Sequence, residues 1–125
     1  MGHIETRKIA DMHKALADPM RIMIMRLLLE RELCVCELVR ALEEPQYKVS
    51  KHISVLKQAG LVRDWREGTW MHYEISPELG REWRGALNAM KKVWDGCHDV
   101  QAALWRLKQC VPREPGGAVT SCECK

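Results

Sequence analysis

The sequence lacks the segments that would carry a chain into or across a membrane. No run of 18 apolar residues is present, so we expect no transmembrane helix. The N-terminus, MGHIETRKIA, has no apolar region of the kind that a secretory signal needs. We therefore predict a cytoplasmic protein, and a length of 125 residues predicts one domain with its own core.

Motifs of thiol enzymes are also missing. A small reductase would carry a C-x-x-C pair or a single reactive cysteine beside a βαβ pattern, and neither is present. No constellation of residues for acid–base catalysis is evident. We therefore predict a protein that is not an enzyme and needs no catalytic cofactor.

Cysteine, in contrast, is abundant, with six residues in the chain. An even count allows disulfides in many pairings. The cytosol is reducing, however, so paired thiols there more often bind metals or do redox chemistry. The net charge of +3 is weak evidence for a nucleic-acid partner, because the position of basic residues matters more than their number.

Apolar residues at helical spacing predict four helices in the first half of the chain. Asp18 and Pro19 are typical of a helix start, whereas Pro45 ends the third helix and Gly60 ends the fourth. The last two helices, with their short turn, indicate a helix-turn-helix. The predicted bounds are residues 4–17, 19–30, 34–43 and 46–59.

Two strand-like segments, LVRDW and WMHYEI, follow on either side of Gly68 and predict a β-hairpin. A hairpin after a helix-turn-helix is a wing. The predicted fold class is therefore mainly α with a small β-hairpin, a winged helix-turn-helix. Residues 1–111 are expected to form the DNA-binding and dimerisation domain, and residues 112–125 a flexible tail that contains cysteines.

Ser76 and Pro77 predict the start of one long last helix, kinked at Gly96 and ending before Pro112. Its apolar stripe is longer than so small a core can cover. Together with the first helix, the stripe therefore predicts a homodimer surface. The stripe comprises Leu79, Trp83, Leu87, Met90, Trp94, Cys97, Leu104 and Leu107.

The fourth helix carries the features of a recognition helix. Val49, Ile53 and Leu56 lie at i, i+4 and i+7 and form one inward face. The other side is rich in hydrogen-bonding groups at the helix start, where a recognition helix meets base edges. The alternative interpretation is that this polar side of the helix is merely exposed to solvent and binds nothing. The predicted DNA contacts on this helix are Gln46, Tyr47, Lys48, Ser50, Lys51, His52, Ser54 and Lys57. Of these, Lys48, Lys51 and Lys57, together with Arg63 and Arg66 near the wing, are expected to contact phosphates, and His52 the DNA backbone.

A dimer would set two such helices about 34–36 Å apart, on an inverted repeat of double-stranded DNA.

Cys34 and Cys36 lie one residue apart, just upstream of this segment. Residues i and i+2 point about 200° apart on a regular helix but share a face in extended backbone. Chelation should therefore need, or cause, unwinding at the start of the third helix, which would favour release from DNA. A helix N-terminus should lower the pKa of the thiols, and thiolates select soft ions such as As(III), Sb(III), Cd(II), Pb(II) or Cu(I). A pair of structural buried cysteines is the alternative.

The segments ELCVCEL, PQYKVSKHISVLKQAGLV and REGTWMHYEIS resemble the ArsR/SmtB family of metal-sensing winged-helix repressors, most closely its arsenical-resistance branch. The resemblance covers roughly residues 9–110. It implies a homodimer that represses its own resistance operon and leaves the operator on binding As(III) or Sb(III).

The branch usually has a third cysteine where this chain has Val39, and arsenite prefers three sulfurs. Cys110 is the leading candidate for the third ligand. Solvent, a small thiol, or the tail pair Cys122 and Cys124 are alternatives, and Cys97 is expected to be packed.

A zinc site on the long helix is disfavoured by the sequence, whereas a response to another metal ion or to oxidation stays open as an alternative. Other sensors of the family bind zinc at the long helix, where Asp95, His98 and Asp99 are available here. The second histidine and the acid that complete that zinc site are absent from the following QAALWRLKQC. A repressor of the same fold that responds to Cd(II), Pb(II), Zn(II) or thiol oxidation is the alternative to arsenite.

Overall fold

The computed structural model describes residues 5–109, and within them the chain forms six helices and three strands. None of these helices is long and apolar enough to cross a membrane. The mainly α winged helix-turn-helix is confirmed, whereas Cys110 and the predicted tail lie outside the described residues. The helices are α1 Thr6–Leu16, α2 Pro19–Leu28, α3 Val35–Leu42, α4 Gln46–Gln58, α5 Arg81–Trp94 and α6 His98–Lys108, and the strands are β1 Leu33–Cys34, β2 Val62–Glu67 and β3 Trp70–Ile75.

The start of α2 is fixed as the sequence predicts. The Asp18 carboxylate accepts hydrogen bonds from the backbone N–H groups of Met20 and Arg21, at 2.9 and 3.2 Å, and Pro19 occupies the first turn. Such a cap satisfies donors that the first turn leaves without a helical partner. The helix then buries Ile24 and Leu27 in the core.

The helix-turn-helix is formed by α3 and α4. Leu38 and Leu42 of α3 point into the core, as predicted. Glu43 ends α3 in the left-handed region, at a φ of 54°, and Gly60 adopts a φ of 83° just beyond α4. Leu61 then donates a backbone hydrogen bond to Leu56 and returns the chain to the core.

The wing belongs to a three-stranded antiparallel sheet with the order β1-β3-β2. Gly68 turns the β2–β3 hairpin at a φ of 61°, as the sequence predicts. Strand β1 has only two residues and is not predicted by the sequence pattern. In β1, Leu33 pairs with Tyr73 and Cys34 pairs with His72, so this strand ties the segment before α3 to the wing.

The prediction of one long last helix is wrong. The chain breaks between Trp94 and His98 into α5 and α6. Arg26 of α2 reaches into this break, where its Nε donates to Asp95 at 2.6 Å. A Cβ on Gly96 would lie 3.3 Å from the Val93 carbonyl oxygen, so a larger residue fits the tight turn poorly.

Two further expectations for this region are also wrong. The helix begins at Arg81, with Gly80 as its cap, and not at Pro77. Ser76 instead accepts a hydrogen bond from the backbone of Glu78 at 3.2 Å and forms a short turn ahead of the helix. Cys97 is exposed and not packed, because it lies in the break and no longer continues the helical stripe.

Candidate DNA-binding and thiol sites

The polar face of α4 is free for contacts with a ligand. Val49, Ile53 and Leu56 are buried, as predicted, and this fixes the helix by its opposite side. Tyr47 is 77% exposed, an unusual position for a large aromatic side chain. The remaining predicted contacts on this helix are exposed or half-buried: Gln46, Lys48, Ser50, Lys51, His52, Ser54 and Lys57.

His52 is held by residues at the junction of α1 and α2. Its Nδ1 lies 3.1 Å from Nη1 of Arg21, whose Nε donates to the Ala15 carbonyl at 2.6 Å. Arginine only donates, so Nδ1 accepts and the hydrogen of the neutral ring is on Nε2. Burial raises the pKa of the Asp18 carboxyl, but the hydrogen bond from the backbone N–H of Arg21 and the positive charge of Arg21 outweigh burial and hold the pKa below its usual range. The imidazole is thus oriented by its partners.

The basic residues of the wing are arranged around Trp65. The Arg63 guanidinium lies 5.2 Å from the centre of the Trp65 ring and forms an ion pair with Glu74 across the hairpin. Arg66 is exposed on the same strand. Lys57, near the end of α4, forms an ion pair with Asp64 at 2.9 Å, which joins the recognition helix to the wing.

The two sulfurs of the thiol pair are already together, with Cys34 Sγ and Cys36 Sγ 2.8 Å apart. Cys34 lies outside the helix, because it is the last residue of β1 and the N-cap of α3, with φ −84° and ψ 163°. The extended start that we considered is therefore present, and chelation does not require α3 to unwind. In the structure, the Cys34 thiol is free, whereas Cys36 is disulfide-bonded, so capture of an ion by both sulfurs requires Cys36 to be reduced.

Cys34 and Glu37 form a capping box at the start of α3. The Glu37 carboxylate accepts from the Cys34 backbone N–H at 2.9 Å and is also paired with Arg31 at 2.9 Å. The expectation of a lowered thiol pKa is wrong for Cys34. Burial raises the pKa of the Cys34 thiol to about 11, and the Glu37 carboxylate adds to the rise, outweighing the N–H groups that favour the thiolate.

Known proteins match both the segment around the helix-turn-helix and most of the chain. The model of the arsR family of bacterial regulatory proteins matches residues 18–64. An uncharacterised HTH-type transcriptional regulator from Methanocaldococcus jannaschii is 42% identical over 76 residues, which make up 60% of this chain and 85% of that protein. The chain belongs to the ArsR family. It is a DNA-binding transcriptional regulator and not an enzyme.

A named repressor and a solved structure are also similar to this chain, the first in sequence and the second in fold. The arsenical resistance operon repressor of Escherichia coli is 45% identical over 70 residues, which cover 55% of this chain and 60% of that protein. The solution structure of a homodimeric winged helix-turn-helix domain from Mycobacterium bovis, Mb0332, has a TM-score of 0.61 and 28% identity, covering 78% of this chain and 94% of that one. Its fold is the one described above.

In this ArsR-family chain, the predicted ion ligands are only partly within the described residues. Cys34 and Cys36 lie side by side, while Cys110 lies beyond residue 109. No group of three or more His, Cys, Asp or Glu side chains within residues 5–109 is placed to hold a metal ion. Asp95, one of the disfavoured zinc ligands, is engaged by Arg26.

Sequence reasoning missed two residues beside the thiol pair. Glu37 could have been found from its position three residues after Cys34, the spacing of a capping box. His72 is fully buried and pairs with Cys34 across the sheet. Its place carries no local signal, because it depends on the pairing of β1 with β3.

Proposed function

We propose that the protein is a homodimeric transcriptional repressor of an arsenic-resistance operon, released from its operator when Cys34 and Cys36 capture As(III) or Sb(III). The observation that carries the proposal is the 2.8 Å separation of the two sulfurs at the start of α3, the helix that packs against the recognition helix α4. Two adjacent thiolates select a soft, thiophilic ion over a hard one. The similarity to a repressor of arsenical resistance supports the same ligand.

Competition between capture and DNA binding follows from the contacts of Cys34. Its sulfur is inaccessible to solvent and faces the backbone N–H of Glu37 in the capping box. A sulfur lone pair that binds arsenic can no longer accept the hydrogen bond from the backbone N–H of Glu37. The buried thiol must also lose its proton when it binds. A replaced cap costs a helix about 1 kcal/mol, so capture weakens the start of α3, which supports α4. This mechanism replaces the predicted obligatory unwinding of the helix.

Cys110 is proposed to supply the third sulfur. Gln109, its neighbour in sequence, lines a cavity of about 590 Å³ between α3 and α6. Val39 lines the same cavity and lies one helical turn after Cys36. X-ray absorption of the arsenite complex should count three sulfurs in the wild type and two in Cys110→Ser. The matched control is Cys97→Ser, which should keep three, because Cys97 lies in the break before α6.

The test of the function is operator release. Binding to DNA from upstream of the gene is measured by fluorescence anisotropy, with and without arsenite, in a phosphine reductant that does not chelate arsenic. Wild type and Cys97→Ser should leave the DNA on addition of arsenite, whereas Cys34→Ser should bind equally well and stay. Retention of wild type on the DNA would refute the proposal, and loss of basal binding in Cys34→Ser would assign that cysteine a structural role.

Thiol oxidation is the second candidate stimulus. It is favoured by the disulfide-bonded form of Cys36, whose sulfur lies 2.8 Å from the free thiol of Cys34. Release by diamide without arsenite, reversed by reductant, would select this response. Parallel titrations with Cd(II), Pb(II) and Zn(II) test whether the site prefers a metal cation.

A further inference from the structure

Cys34 belongs to the same sheet as the wing. It pairs with His72 of β3, and His72 pairs with Trp65 of β2, so the three residues form one row across the sheet. We propose that this row carries the response to ion capture into the wing, with His72 as the positioning residue that links the thiol pair to the DNA contacts. The inference rests on the proposed capture of a soft ion by Cys34 and Cys36.

His72 stacks on Trp65 and is paired directly with Cys34 in the row. Residues that are directly paired in antiparallel strands have side chains on one face, with Cβ atoms about 4.5–5.5 Å apart. The rings of His72 and Trp65 stack with centroids 5.4 Å apart and an angle of 19° between their planes. Both Cys34 and His72 are inaccessible to solvent. We therefore expect a movement of the Cys34 side chain to displace the neighbouring imidazole of His72.

Trp65 carries this contact on to the charged groups of the wing. Its indole Nε1 donates to Glu67 at 3.0 Å, near the tip of the hairpin. The Arg63 guanidinium lies over the Trp65 ring, 5.2 Å from its centroid. Arg63 is one of the proposed phosphate contacts, so a shift of the Trp65 ring changes the position of a cation that binds DNA.

Ion capture has a steric reason to move the row. An arsenic atom and its third ligand add volume next to the Cys34 side chain, which is inaccessible to solvent. Packed interiors respond to added volume by changing arrangement, because they are hardly compressible. The capping box links the site only to the first turn of α3, whereas the row reaches both strands of the wing.

A matched pair of variants tests the role of the ring. His72→Phe keeps an aromatic ring for the stack on Trp65, and His72→Leu removes it while staying apolar. The measured quantity is the coupling ratio, the operator Kd with arsenite divided by that without it. We expect His72→Phe to keep the wild-type ratio within about threefold and His72→Leu to lower it by about tenfold or more. Arsenite stoichiometry, measured by native mass spectrometry, should be unchanged in both.

Arg66→Ala is the control for a loss of DNA contacts by the wing that leaves the row intact. It should weaken operator binding in both the free and the arsenite-bound protein and leave the coupling ratio unchanged. If His72→Leu fails to fold, Trp65→Leu removes the same stack from the half-buried partner and should lower the ratio in the same way. Equal ratios in His72→Phe, His72→Leu and wild type would overturn the proposal, as would an equal loss in both variants.

Hydrogen exchange gives a second readout. Arsenite should alter amide exchange in residues 62–75 of wild type, as well as in α3, and should leave exchange unaltered in Cys34→Ser. A change confined to residues 35–58 would overturn the role of the wing while leaving the proposed function intact. Failure of arsenite to release the wild type would instead refute the proposed function itself, so the two failures are distinct.

Discussion

At the scale of single residues, Cys34 combines two roles that conflict. It caps α3 and fills the core next to His72, yet it is the proposed first ligand for a soft ion. Burial favours the neutral thiol in the empty protein, whereas a metal ligand must be a thiolate. The site is therefore built to keep its thiol protonated until an ion with high sulfur affinity displaces the proton. When As(OH)3 is captured, each thiol proton leaves with an arsenic-bound hydroxide as water, whereas capture of a metal cation would release the protons to solvent.

The raised pKa of Cys34 predicts a loss of stability at alkaline pH. The folded protein raises the pKa from an ordinary value of 9.0 to about 11, so this contribution to stability is complete below pH 9 and is lost as the pH rises through 11. At about 1.4 kcal/mol for each pKa unit, the full loss is expected to be about 3 kcal/mol. Urea unfolding of wild type and Cys34→Ala should show a difference in free energy that shrinks between pH 8 and pH 11. A difference that stays constant would contradict the buried neutral thiol.

The two proteins compared in that experiment must differ only in the titration of Cys34. Tyr73 also has a raised pKa, caused first by its burial and then by Asp64. Its titration occurs in wild type and in Cys34→Ala alike, so the comparison at each pH isolates the thiol. A reductant is present throughout, because Cys36 must be reduced in both proteins.

At the scale of elements, the proposed DNA contacts depend on how α4 is fixed. Its three buried residues set one face against the core and leave Lys51 and Tyr47 on the other. This arrangement was predictable from sequence, since the apolar residues recur at helical spacing and Gly60 ends the helix. The wing was predictable for a similar reason, because its strands alternate and Gly68 supplies the turn.

Lys51→Ala is expected to weaken operator binding by about tenfold or more, because one good base contact is worth about 1–3 kcal/mol. A contact to bases weakens binding to the operator more than to a scrambled duplex, whereas a contact to phosphate weakens both alike. Lys108→Ala is the matched control, since Lys108 is also exposed but lies on α6, outside the proposed interface. Unchanged affinity of Lys51→Ala for both duplexes, measured by anisotropy, would exclude this face of α4 as the DNA reader.

Elements whose form depends on distant partners were not predictable. The stripe from Leu79 to Leu107 has helical spacing, yet Arg26 holds Asp95 in a turn that divides it. The same limit applies to β1, which exists only because β3 pairs with it. The extended backbone at Cys34 depends on the pairing of β1 with β3. The sequence around the two cysteines therefore allowed both an extended and a helical backbone.

At the scale of the whole molecule, the exposed apolar side chains of α5 indicate that another surface covers its outer face. Only Leu87 and Trp94 of this helix are buried, while Val93 is 64% and Met90 43% exposed. The His13 and Trp83 rings meet at 5.3 Å and bring α1 beside α5, so the two helices form one surface. A second copy of the chain is the proposed occupant, as a dimer is needed to place two recognition helices on one inverted repeat.

Val93→Glu is expected to separate the dimer into 14.5 kDa monomers in sedimentation equilibrium. In a two-fold interface the substitution occurs twice, so the new carboxylates are desolvated and face each other's charge, and the dissociation constant should rise by at least about thirtyfold. The thermal stability of the monomer fold should change little, because Val93 is largely exposed. Operator binding at low protein concentration should fall with dimer population, since one recognition helix reads only half of the repeat.

Trp105→Glu is the matched control for this experiment. Trp105 is 63% exposed, nearly the same as Val93, but it lies on α6 beside the cavity between α3 and α6. The Trp105→Glu protein should remain a dimer and bind operator as the wild type does. If it dissociates while Val93→Glu stays dimeric, the interface lies on α6, and the recognition helices must be spaced by a contact other than the one between the α1 and α5 surfaces.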